Sequence, residues 1–162
     1  MSIPELLSAP NVILDAEPLN KAALLDLLAA EAGQRLGVPQ QEVLGALQAR
    51  EKIGSTGLGR GVALPHAEIH DAGAPLVLFA RLRRPVNFDA RDEEPVDLVF
   101  LVLWPVAARK GLLPAMSEIC RALREPQTLR RLRAAEMPED VVRLVLQAVP
   151  PDAAQDDTPY GE

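Results

Sequence analysis

Apolar residues recur at helical spacing over residues 19–37. Leu24, Leu25, Leu28, Ala32 and Leu36 share one face there, and Gly37 stands where the helix should stop. Asn20 is placed to cap the start. Pro39 suits the first turn of a second helix, whose stripe is Val43, Leu44 and Leu47 and which runs out near Arg50 to Lys52. The pattern then changes. Residues 54–61, GSTGLGRG, hold four glycines in eight positions and read as a segment too flexible for a regular element. Val62, Ala63 and Leu64 follow as a short strand, broken by Pro65 and then His66. Two longer strands come next, 76–82 (LVLFARL) and 96–104 (VDLVFLVLW). The second is almost uniformly apolar, as a strand covered on both faces should be. The charged FDARDEEP between them reads as an exposed turn. Helical spacing returns over 114–123, with Met116, Ile119, Cys120 and Leu123 on one face, and again over 127–135 and 138–149. Two helices, several strands and three helices, with no internal repeat, predict an α/β fold: a single-domain sandwich of helices on a central mixed β-sheet.

Composition narrows the class. At 162 residues, 48% hydrophobic and 25% charged, the chain is long enough for one hydrophobic core and is neither fibrous nor disordered throughout. No apolar run approaches a membrane span, and MSIPELLSAP lacks the basic start of a secretory signal, so a cytoplasmic protein is expected. One cysteine, Cys120, excludes an internal disulfide and reads as a small core residue. The net charge of −6 is unevenly spread. Four of the 23 acids (Asp152, Asp156, Asp157 and Glu162) and none of the 17 bases lie in residues 150–162, which leaves the body at −2. Residues 1–149 therefore read as one domain and 150–162 as an acidic, disordered tail. The body has no basic face suited to a nucleic acid.

The densest chemical signal is residues 50–67, REKIGSTGLGRGVALPHA. It offers an arginine at a helix end, the hydroxyls of Ser55 and Thr56, flexible backbone N–H groups from Gly57 onward, and a histidine at a strand end. Such parts suit a phosphoryl group: glycines let the backbone approach an anion, arginine neutralises it, and imidazole is a nucleophile at neutral pH. The same letters also suit an ordinary glycine-rich turn with a surface histidine. Other phosphate motifs fail on detail. Gly54 and Gly59 have Walker spacing, but Arg60-Gly61 stands where lysine and a hydroxyl are needed, and Gly57, Gly59 and Gly61 do not form the dinucleotide fingerprint. His66 and His70 lie four apart without the H-E-x-x-H pattern or a third histidine, so no metal or other cofactor is expected. No G-x-S-x-G hydrolase elbow occurs.

The segment REKIGSTGLGRGVALPHA closely resembles the active-site segment of the EIIA domains of the bacterial phosphoenolpyruvate-dependent phosphotransferase system, mannitol/fructose class. The likeness is best to the nitrogen-regulatory branch, and it continues through VNFDARDEEPVDLVFLVLWP and RRLRAA, from about Leu19 to Val149. The resemblance implies that His66 accepts phosphate from an HPr-like phosphocarrier protein and that Arg50 lies beside the phosphohistidine and balances its charge. Ser55, Thr56 and Gly57 are then the phosphate-binding positions, and neither metal nor nucleotide is needed. No EIIB-like loop surrounds Cys120, which favours a regulatory over a sugar-transport role.

This chain departs from that pattern twice. Ala67 stands where the family element carries glycine after the histidine, which predicts a tighter loop there. Leu112 stands where relatives carry a second histidine, counted back from RRLRAA. An apolar neighbour in that place would hold His66 neutral and deprive the phosphoryl group of a donor. Two functions follow: a working phosphocarrier, or an EIIA-like protein-binding module impaired in phosphorylation. The retained Arg50, Ser55, Thr56, Pro65 and His66 favour the first. His66 is expected at the rim of a solvent-accessible depression, with Arg50 and the 54–61 loop within reach.

Overall fold

The centre of the molecule is β6, Val96–Pro105, in which every residue but Asp97 is buried. Its side chains alternate between two cores. Val99, Leu101 and Leu103 enter one, and Leu98, Phe100, Val102 and Trp104 enter the other. The structure, a computed structural model, describes residues 2–149, so the acidic segment 150–162 lies outside the described residues.

Six strands form one mixed sheet, in the order β1 (Val12–Ala16), β5 (Leu76–Val86), β6, β3 (Val62–Ala63) and β2 (Gly57–Gly59), with β4 (His66–Ile69) also paired to β6. β5 runs antiparallel to β6, in continuous register from Leu76 opposite Leu103 to Arg81 opposite Leu98. β1 adds to the far side of β5 in parallel. On the other side of β6, β3 and β4 lie end to end, both parallel to β6, and β2 pairs antiparallel with β3.

One face of the sheet is covered by α2 (Lys21–Leu36) and α3 (Gln40–Ile53). The other is covered by the short α1 (Ile3–Leu6), α4 (Leu112–Ala122), α5 (Pro126–Ala134) and α6 (Pro138–Ala148). The sandwich of helices on a mixed sheet is therefore as the apolar pattern predicts. Local punctuation agrees as well. The Asn20 side chain accepts the Ala23 N–H at 2.8 Å, and Gly37 ends α2 in the left-handed region at φ 70°.

Several elements differ from the sequence reading. The glycine-rich 54–61 segment is not wholly irregular, because β2 gains order from pairing with β3. The turn between them needs left-handed backbone at Gly59, Arg60 and Gly61 (φ 95°, 58° and 80°), which explains two of its glycines. Pro65 interrupts the strand only locally, and β4 resumes the pairing at once. Ala67 therefore lies in a strand opposite Leu103 and packs into the first core, so the expected tight loop after His66 is absent. FDARDEEP is exposed at Asp89 and from Arg91 to Pro95, but Phe88 and Ala90 are buried and pin the turn down. The 3-10 segment Val106–Gly111 leads into α4, which starts two residues before the expected position. Cys120 is exposed, not a core residue. The buried face of α4 is Ala115, Ile119 and Ala122, and a residue one step past Ile119 is rotated about 100° away from it.

Candidate active site

Arg50 sits in the last turn of α3, where the carbonyl end of the helix favours a cation. His66 opens β4 immediately after the Leu64-Pro65 break. Proline has no N–H to give the sheet, so the chain steps out of the ladder there, and the Pro65 carbonyl rejoins it by accepting the Val102 N–H at 3.0 Å. The step leaves the Leu64 carbonyl 2.9 Å from His66 Nδ1. A carbonyl only accepts, so Nδ1 carries the proton and Nε2 carries the lone pair. Arg50 Nε donates to that Nε2 at 3.2 Å, which fits the same tautomer. Burial lowers the His66 pKa below its ordinary value. The hydrogen bond to Leu64 opposes this, Arg50 adds to the lowering and Glu51 opposes it. His66 is thus a half-buried, neutral imidazole with its free nitrogen facing a guanidinium.

The guanidinium is itself held. Arg50 Nη1 donates to the Gly54 carbonyl at 2.8 Å, which ties the end of α3 to the loop that follows. Ser55 Oγ donates to the Phe88 carbonyl at 2.8 Å and accepts the Gly57 N–H at 3.1 Å. Thr56 is buried, and both its N–H and its hydroxyl go to the Glu51 carboxylate. The structure therefore brings His66, Arg50 and the Gly54 carbonyl together directly. The polar groups of Ser55, Thr56 and Gly57 are engaged within the loop and its supports. A cleft of about 470 Å³ adjoins this loop, lined by Gly54, Ser55, Gly57, Leu58, Asp89 and Arg91.

Glu51, Lys21 and Phe88 were not singled out from sequence. The acid next to Arg50 and the hydroxyl at Thr56 were both visible in REKIGST, but nothing local shows that they meet. His70 lies exposed in the turn after β4, and among the described residues no group of three or more His, Cys, Asp or Glu is placed to hold a metal. Leu112 is the first residue of α4 and packs, half-buried, against the second core. Glu68, on the same face of β4 as His66, meets the segment leading into α4 through Arg109 at 3.9 Å. No helix among the described residues is long and apolar enough to cross a membrane.

The chain is similar to known proteins over nearly all of its described length. The family model described as phosphoenolpyruvate-dependent sugar phosphotransferase system, EIIA 2, matches residues 5–148. A nitrogen regulatory protein of Bradyrhizobium diazoefficiens is 40% identical over 149 residues, covering 91% of this chain and 96% of that one. Another from Escherichia coli K12 is 36% identical over 127 residues, 78% of each chain. Among solved structures, the nitrogen regulatory protein IIA-Ntr of Neisseria meningitidis superposes with a TM-score of 0.84 at 32% identity, covering 88% of this chain and 98% of that one. The Escherichia coli IIA mannitol structure, at TM-score 0.71 and 22% identity over 86% of this chain and 98% of that one, shares the fold. With its sheet, its R-E-x-x-x-S-T segment and its P-H element all in the matched region, the chain belongs to the EIIA 2 family of the phosphoenolpyruvate-dependent sugar phosphotransferase system and is similar to that family's nitrogen regulatory proteins.

Proposed function

We propose that the protein is a cytoplasmic phosphoryl carrier with a regulatory role, in which His66 Nε2 accepts phosphate from the phosphohistidine of an HPr-like donor. The observation that carries this reading is the pair of contacts on the His66 ring, Leu64 O at Nδ1 and Arg50 Nε at Nε2. With Nδ1–H on the Leu64 carbonyl, the nucleophilic lone pair sits on Nε2, facing Arg50.

In the step, Nε2 forms a bond to phosphorus as the donor's N–P bond breaks, and the donor imidazole leaves with that electron pair. The proton stays on Nδ1, donated to the Leu64 carbonyl, and the charge gained by the ring is offset by the phosphoryl group. Once the Nε2 lone pair is consumed, the Arg50 Nε–H loses its acceptor and turns to a phosphoryl oxygen. The transition state is metaphosphate-like, so alignment and a cation matter more than further covalent machinery. Ser55, Thr56 and Gly57 serve the phosphoryl group through the shape of the loop, since direct contact requires them to release the partners they hold in the resting site.

The test is incubation with phosphoenolpyruvate, enzyme I and an HPr-type donor, followed by intact mass under alkaline conditions. A gain of one phosphoryl group that disappears in His66→Ala supports the carrier. Leu112, in place of a second imidazole, favours a second reading, a protein-binding module that exchanges phosphate poorly. Absence of any mass gain with a cognate donor after hours decides for that module.

A further inference from the structure

We infer that Glu51 is a positioning residue for the His66 site: held between Lys21 and Thr56, its carboxylate fixes the 54–57 turn in the place that aligns Arg50 with His66. The inference deepens the carrier reading and rests on it for its kinetic consequence.

Arg50 and Glu51 are neighbours on α3, so their side chains leave the helix about 100° apart and do different work. Arg50 reaches the imidazole, while the Glu51 side chain is only 7% exposed. A carboxylate that deep is tolerated only when fully bonded. Here it has three donors: Lys21 Nζ at 2.9 Å, the Thr56 N–H at 3.2 Å and the Thr56 hydroxyl.

From Thr56 the constraint runs back along the chain to the reacting atoms. Two residues before Thr56, the Gly54 carbonyl accepts Arg50 Nη1 at 2.8 Å, and Arg50 Nε lies 3.2 Å from His66 Nε2. The turn is thus held at one end by a carboxylate and at the other by the guanidinium that serves the site. If the Thr56 end is released, the Gly54 carbonyl is free to move, and Arg50 loses its second anchor.

Lys21, the first residue of α2, completes the device. Its ammonium also donates to the Phe88 carbonyl at 3.3 Å, lies 4.4 Å from the Phe88 ring centroid and is 3.8 Å from Asp89. Ser55 Oγ donates to the same Phe88 carbonyl. Two helices and two turns therefore meet at one polar point behind the site. Apolar residues of similar volume would pack there as well, but a satisfied polar network selects one position of the loop. The charged group that meets the Glu51 carboxylate is Lys21 of α2, which Asp89 also approaches, while Arg50 and Lys52 flank Glu51 along its own helix.

The experiment compares full-length wild type with Glu51→Gln, Thr56→Val and Thr56→Ser. It uses two readouts: the single-turnover rate of phosphoryl uptake from the HPr-type donor, and nitrogen NMR of the His66 ring and Arg50 Nε. Small misplacements near reacting atoms cost about 10- to 100-fold, and Glu51→Gln is expected in that range with the Arg50–His66 hydrogen bond weakened. Thr56→Val loses less, and Thr56→Ser, which restores the hydroxyl, recovers most of the rate lost in Thr56→Val. Glu51 raises the His66 pKa, so Glu51→Gln moves it down. A residue that only stabilised the fold would leave the Arg50–His66 hydrogen bond of the folded protein unchanged. Folded Glu51→Gln and Thr56→Val proteins with wild-type rates and unchanged Arg50 Nε signals would overturn the inference. If wild type itself takes no phosphate, the carrier reading fails, whereas loss of the Arg50–His66 bond in Glu51→Gln still supports the positioning role.

Discussion

The two sides of β6 are built on opposite terms. Toward β5 it is paired in unbroken antiparallel register from Leu103 to Leu98, with Phe79 and Phe100 packed edge to face at a centroid separation of 5.0 Å. Toward β3 and β4 the same strand is paired in two short parallel pieces, separated by Leu64 and Pro65. The first side is continuous and, up to Arg81 at its end, apolar. The second side is interrupted, and its interruption supplies the Leu64 carbonyl that orients His66. Left-handed residues gather beside it at Gly59, Arg60, Gly61 and Asp89. A strand that pairs continuously on one side can carry a break on the other, because the intact side holds its backbone in place. The site sits where regular pairing stops and rests on the part where it does not.

That contrast can be broken from either side. The largest effect is expected for Phe100→Ala, which removes a 1% exposed ring from the intact side and should lower unfolding stability by about 3–5 kcal/mol in denaturant titration. Its folded fraction should keep the wild-type His66 tautomer, because the break at Pro65 is untouched. Next is Arg50→Ala, on the interrupted side. Loss of one preorganised cation should slow phosphoryl uptake by about 10²–10³-fold in single-turnover mass measurements, with a much smaller effect on stability. Leu112→His sharpens the comparison in the other direction. A second imidazole at the start of α4 should speed uptake by up to about tenfold, the worth of one added hydrogen bond. An unchanged rate would mean that position 112 does not serve the phosphoryl group in this protein.

The smallest effect concerns pH. The native His66 pKa lies below its ordinary 6.5, so below that pH the unfolded chain binds a proton that the native site still refuses. Stability should therefore fall as pH drops from about 6.5 toward the lowered native value, and this contribution should be constant above 6.5. Denaturation measured across that window in wild type and His66→Gln checks it, since the variant lacks this component. The native imidazole stays neutral to lower pH than a free one, so uptake should decline only as the pH approaches the lowered native value.

Elements with strong local signals were legible along the chain. α2 announced itself by its leucine stripe, by Asn20 and by Gly37, and β6 by a run of apolar residues too short for a buried helix. The pairing of Arg50 with His66 was suggested by a motif and depends on only one long-range fact, that β4 lies beside the end of α3. Elements held by partners rather than by their own letters were not legible. β1 is five residues without clean alternation, ordered by pairing with β5, and β2 is a glycine-rich strand ordered by β3. Cys120 was misplaced because α4 begins in the turn before Pro114 and buries Ala115, Ile119 and Ala122, a face shifted from the one its largest residues suggest.

Residue order alone carries the class of fold and marks His66 and Arg50 as candidate site residues, because hydrophobic periodicity and motif spacing are local properties of a chain. It does not carry the electronic state of His66 or the work of Glu51. The tautomer depends on the Leu64 carbonyl, exposed by a step out of a sheet that exists only after β6 has paired. The Glu51 clamp depends on Lys21, thirty residues away on another helix, and on a carboxylate whose burial makes its hydrogen bonds obligatory. Burial and long-range proximity arise when the two faces of the sheet are covered, and they convert ordinary polar side chains into fixed parts of a site.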